Sequence, residues 1–129
     1  MGSLDHHGLH AGYGVILDHL GQVYQDSLDH PSDAALADGL QRLSEALDCH
    51  FDRENRLMAD RGYPDATRHA ADHALIRRVL HKLTDSALRC DGDLARREVP
   101  FLIHLVYEHR RRDDLRLAEF LDGAGERVS

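Results

Sequence analysis

This sequence predicts an all-α fold, an up-down-up-down antiparallel four-helix bundle, and three observations carry that reading. Apolar residues recur at three- and four-residue steps through four successive segments. Pro31, Gly62, Pro64 and Gly92 fall between those segments. No stretch sustains the period-two alternation of a half-buried strand. With 129 residues there is room for one domain and too little for two, so the bundle is expected to fill 1–129 as a single unit.

The first helix is read from Tyr13, Ile16, Leu17, Leu20, Val23, Tyr24 and Leu28, and it stops before Asp29-His30-Pro31. Ser32 and Asp33 offer an N-cap for the second, whose stripe is Leu36, Leu40, Leu43, Leu47, Phe51, Leu57 and Met58. Gly62-Tyr63-Pro64 ends it, and Asp65 or Thr67 can cap the third, which carries Leu75, Ile76, Val79, Leu80, Leu83 and Leu88. After Cys90-Asp91-Gly92-Asp93 the fourth carries Phe101, Leu102, Leu105, Val106, Leu115, Leu117, Phe120 and Leu121. Pro100 lies within it, so a helix starting near Asp93 is expected to kink there or to begin in earnest only at Pro100. Helices of roughly 20–29 residues would be about 30–40 Å long, and short loops make neighbours antiparallel.

Composition narrows the function. Sixteen Lys+Arg against 23 Asp+Glu give a net charge of −7, which disfavours phosphate backbones and anionic membranes as partners. No apolar run approaches the roughly 18–20 residues of a membrane span, and no signal-peptide region opens the chain, so a cytoplasmic protein is expected. Two cysteines cannot build a disulfide framework; Cys49 and Cys90 read as free, buried thiols. The 11 histidines, in a chain without tryptophan, are the anomaly.

Some of them are spaced for chemistry. His50 and Glu54 stand at i and i+4 on the second helix, and His69 and His73 do the same on the third. Such pairs share a helix face one turn apart and can converge on one ion. His109 and Asp114, five apart, would be separated by about 140° on a regular helix and so straddle the inward direction. His50 follows Leu43 and Leu47 in phase, His109 follows Leu102 and Val106, and His69 and His73 precede Ile76 in phase, so all four point inward. Buried imidazoles and carboxylates need partners, and a metal ion satisfies several at once. Imidazole and carboxylate without thiolate suit iron, manganese or zinc. Six or seven donors exceed one tetrahedral zinc, whereas a carboxylate-bridged pair fits the count.

These residues resemble the hemerythrins and the bacterial hemerythrin-like proteins. The resemblance runs from the first helix to the end of the fourth. It is most specific in His50-Phe51-x-x-Glu54-x-x-Leu57-Met58, through Gly62-Tyr63-Pro64, to His69-x-x-x-His73. Asn55 stands where the family usually has a second glutamate, a position that is not a ligand. The resemblance implies two Fe ions, oxo- or hydroxo-bridged, with Glu54 and Asp114 shared between them. It further implies His69, His73 and His109 on one iron, and His50 with a first-helix histidine on the other, whose open position takes O2. For that histidine His10 and His19 compete; nine residues apart, they cannot both face inward. His10 is in phase with Tyr13, Ile16, Leu17 and Leu20, whereas His19 is in phase with Gln22, Gln25, Asp26 and Asp29, which selects His10.

The O2 pocket implied by the resemblance is walled by Phe51, Leu105 and Met58, with Arg110 where the family has an apolar residue. Arg110-Arg111-Arg112 with Asp113 reads otherwise as a solvated helix face. The remaining histidines, His6, His7, His19, His30, His81 and His104, are left without a metal role. Reversible O2 binding for storage, delivery or sensing is the function implied. A peroxide- or nitric-oxide-reactive enzyme at the same site is the alternative, and a metal-free scaffold or iron store is the third class.

Overall fold

The computed structural model describes the backbone of residues 2–29, 32–89 and 91–128, and the side chains of 13–29, 32–89 and 91–123. Five α-helical stretches and one π-helical turn follow in order: α1 Gly2–Asp29, α2 Asp33–Arg61, α3 Ala66–Leu88, α4 Gly92–His109, the π turn Arg110–Asp114, and α5 Leu115–Val128. The last three run on without a break, so the bundle has four rods, and no strand occurs among the described residues. Each rod packs on the next in sequence, and α1 closes the ring against α4 and α5.

Local chemistry sets the helix ends. The Ser32 hydroxyl accepts from the Ala35 amide at 3.2 Å, capping α2. Gly62 ends α2 at φ 63, ψ 42, a left-handed conformation that costs glycine little, and donates back to the Met58 carbonyl. Asp65 precedes α3 but its side chain makes no cap bond. Asp33 ties the start of α2 to the start of α4, accepting from the Gly92 amide at 3.4 Å and from Arg96 at 3.0 Å.

Of the two expectations at Pro100 the late start is excluded: α4 starts at Gly92 and runs through that proline. Pro100 lies on the exposed side, where water can reach the carbonyl that its missing N–H leaves free.

Two apolar clusters fill the interior. The larger includes Ile16, Leu20, Val23, Leu36, Leu40, Leu43, Leu47, Ile76, Leu80, Leu83, Val99 and Leu102. The smaller joins Met58 and Tyr63 to Leu117 and Leu121. Tyr24, Leu28, Leu88, Phe101 and Leu115 belong to the helical stripes in sequence yet are exposed, because they lie at stripe edges or helix ends. No helix among the described residues is long and apolar enough to cross a membrane.

Candidate metal centre

Three rods bring six potential donors together between the two clusters. On α2, His50 and Glu54 face inward one turn apart; on α3, His69 and His73 do likewise; His109 closes α4 and Asp114 closes the π turn. All six are buried. Glu54 Oε1 lies 3.1 Å from His73 Nε2 and 3.4 Å from His50 Nε2, and Glu54 Oε2 lies 3.3 Å from His69 Nε2. Asp114 Oδ1 lies 3.1 Å from His69 Nε2 and 3.0 Å from His109 Nε2, while its Oδ2 faces His50 Nε2 at 3.9 Å. One donor atom each from Glu54, His69, His73, His109 and Asp114 falls within 4.8 Å of all the others.

The π turn resolves the spacing of His109 and Asp114. A regular helix would set them about 140° apart. The i→i+5 bonding of a π turn widens the helix by a residue and carries Asp114 round to the side of His109. The same widening buries Asp113, which the sequence alone placed on a solvated face.

The buried polar groups are short of partners. His50 and His69 have neither ring nitrogen hydrogen-bonded, and Glu54 Oε2 and Asp114 Oδ1 lack a hydrogen bond as well. Each such orphan costs on the order of 1–3 kcal/mol in a dry interior. Lone pairs of imidazole and carboxylate aimed at a common centre are what a cation satisfies, so the donor set fits a metal ion.

An outer layer orients the imidazoles. His109 Nδ1 donates to Asp72 Oδ2 at 2.6 Å and lies 3.2 Å from Asp113 Oδ2, and His73 Nδ1 donates to Asn55 Oδ1 at 3.2 Å. Holding the proton on Nδ1 turns the Nε2 lone pair inward. Tyr13 adds a donor from α1: its hydroxyl donates to Asp114 Oδ2, and its ring stands edge-on to His50 with centroids 4.6 Å apart. Tyr13, Asn55, Asp72 and Asp113 escaped the sequence reading of the site. Tyr13 looked like stripe, and only Asp113, at i+4 from His109, carried a local signal.

The electrostatics follow from the packing. Burial works against a charged His69, but the carboxylates of Asp114 and Glu54 close beside it outweigh it and lift the imidazole to about 9. Burial likewise opposes His109, and Asp114, Asp72 and Glu54 raise it to about 12. His50 and His73 are lowered, with burial the main cause. Glu54 is held well below the usual carboxylate range, its burial overcome by its close contacts with Asp114 and the surrounding imidazoles. Burial, and then the charges of Asp114 and Glu54, push the Tyr13 phenol up.

Of the wall residues, Phe51 stacks on His73 with centroids 3.9 Å apart and meets His109 edge-on. Met58 belongs to the smaller cluster, and Leu105 packs half-buried against the larger one. The Arg110 guanidinium sits 5.0 Å from the Tyr13 ring centroid. His10, with His6, His7, His30 and Cys90, lies outside the residues whose side chains are described. His19 is half-buried, and His81 and His104 are exposed. Cys49 is exposed, which corrects the buried-thiol expectation: about 100° round the helix from His50, it falls on the outer face.

Imidazoles and carboxylates converging from facing helices inside a four-rod bundle define a helical cation-binding protein. The family profile of the Hemerythrin HHE cation binding domain matches residues 4–121, and the chain belongs to that family. Comparisons with curated proteins and with solved structures gave no match. Family and buried donor cluster together mark a metal-binding protein.

Proposed function

We propose that this protein holds two iron ions and binds O2 reversibly, for storage, delivery or sensing. The observation that carries the reading is the five-donor cluster of Glu54, His69, His73, His109 and Asp114, buried and with several of its atoms unsatisfied. His69, His73 and His109 would hold one iron and His50 the other, with Glu54 and Asp114 between them. On α1, His10 would take the remaining place. Iron supplies, when bound, the reversible electron transfer that O2 uptake requires.

The chain's own contribution is orientation and dryness. Asp72, Asp113 and Asn55 fix the imidazole tautomers. Phe51, buried and stacked on His73, keeps water from that side, and Met58 and Leu105 extend the apolar wall. The acidic balance argues against nucleic acid or an anionic membrane as the partner, and two cysteines, too few for a disulfide framework, suit a cytoplasmic setting.

Arg110 favours a second reading. Its guanidinium over Tyr13 puts a cation close to Asp114, which suits a site that turns over peroxide or nitric oxide. Iron analysis with visible spectra recorded through cycles of air and vacuum tests both. A band that comes and goes with O2 supports the carrier, and rapid irreversible oxidation with peroxide release supports the enzyme. Folded protein that stays colourless and iron-free after reconstitution rejects both.

A further inference from the structure

We propose that the groove between α3 and the π turn binds a small polyvalent oxyanion, held by the guanidinium groups of Arg68, Arg78 and Arg112. The groove lies outside the donor cluster, and the site does not depend on which metal that cluster holds.

Helix period places the groove. Arg68, Ala71, Asp72, Leu75 and Arg78 recur at steps of three and four, so they form one row along α3. The two arginines end the row, about 15 Å apart along the helix axis. Arg112 meets the row from the π turn, beside Asp113, and the cavity so enclosed measures about 300 Å³. That volume suits a small molecule rather than a polymer. All three arginines are exposed, so a ligand can reach them from solvent. In the adjoining crevice, which shares Arg68 and Asp113, Arg116 adds a fourth guanidinium.

Charge selects the ligand. The two acids of the groove are engaged from below: Asp72 Oδ2 lies 2.6 Å and Asp113 Oδ2 lies 3.2 Å from His109 Nδ1. Arg112 has only Glu108, at 3.7 Å. Arg68 and Arg78 have no ion pair or hydrogen bond with any described residue. Arginines elsewhere do find acids: Arg42 has Asp38, Arg77 has Asp48 and Asp52, and Arg89 has Asp85. A guanidinium fork matches the oxygens of a carboxylate or phosphate two at a time, so an anion with several charged oxygens can engage arginines of both elements at once. With a net charge of −7 the chain as a whole repels anions, so the groove must hold its ligand by local contacts.

Calorimetric titration of metal-loaded, full-length protein with inorganic phosphate and, separately, with succinate tests this, at about 0.15 M salt to screen diffuse attraction. Saturable binding of one anion per chain is expected, and the tighter of the two identifies the ligand as a phosphoryl compound or a polycarboxylate. Arg78→Gln and Arg112→Gln should each weaken binding about tenfold, the worth of one charged hydrogen bond. Arg97→Gln, at an exposed position of α4 outside the groove, should leave it unchanged. Circular dichroism checks that each variant is folded. Absence of saturable binding by both anions overturns the site. Binding that survives both groove variants overturns it too, because the anion then sits elsewhere, the metal included. Equal weakening by Arg97→Gln overturns it in favour of diffuse surface charge.

Discussion

Between the α1–α2 connection and Leu47 the interior is hydrocarbon: Leu20, Val23, Leu36, Leu40 and Leu43 are essentially inaccessible to solvent. From His50 onward the same four rods enclose four imidazoles and two carboxylates, several with no hydrogen-bond partner. The first region is stabilised mainly by burial, about 1.5–3 kcal/mol for each large apolar side chain. The second keeps polar groups in a dry place at a cost that a bound cation offsets. The bundle is thus a hydrocarbon scaffold in one half and, next to the smaller apolar cluster, a chelate in the other, and each half can be perturbed separately.

The sharpest separation comes from Glu54, whose oxygens face all four imidazoles within 3.7 Å. Glu54→Gln should abolish metal uptake and, by breaking a buried ionic cluster, cost about 3–5 kcal/mol of stability. Full metal content by elemental analysis would end the view of this region as a chelate. In the other half, Leu40→Ala should cost about 2–5 kcal/mol in denaturant melts while leaving metal stoichiometry unchanged. If metal is lost as well, the two halves are not separable.

A smaller effect is expected from Asp72→Asn, which weakens the acceptor for His109 Nδ1. Metal affinity should fall about 10–100-fold, with little change in the stability of metal-free protein. Competition with a chromogenic chelator measures it, and an unchanged affinity would remove Asp72 from any orienting role.

The mildest probe is pH. His69 rises from 6.5 to about 9 in the folded chain, so the stability it contributes is fully present below pH 6.5 and fades as pH climbs through about 9. Metal uptake should run the opposite way, tightening over that interval because the ligand must be the neutral imidazole. Affinity that stays flat from pH 6.5 to 9 would mean that His69 is not a donor.

The apolar half was almost fully legible in the sequence, because periodicity of three and four reports a buried helix face directly. The pairs His50/Glu54 and His69/His73 were legible for the same reason: one turn of α-helix is a local rule. His109 and Asp114 were also placed in the site, but the π turn that aligns them was not legible, since it is a backbone irregularity with no residue signature in Arg110-Arg111-Arg112. Tyr13 was hidden by its own ring, which follows the apolar stripe while its hydroxyl reaches Asp114 on another rod. Asp72 was hidden because its partner is 37 residues away in sequence. Pro100 left two readings open, a kinked helix or a late start, and only the late start is excluded, since α4 begins at Gly92 and carries the proline on its exposed side.

The π turn also divides labour between two neighbouring acids. It amounts to one surplus residue spliced into an otherwise ordinary helix, and α5 continues beyond it as though nothing had been added. Deleting exposed Arg112 would leave a His-x-x-x-Asp spacing, the same interval that separates His50 from Glu54. What the insertion provides is two consecutive acids for one imidazole: Asp113 on the Nδ1 edge and Asp114 on the Nε2 edge. A shortened chain would keep its outline and force those two carboxylates to compete for the work they now divide.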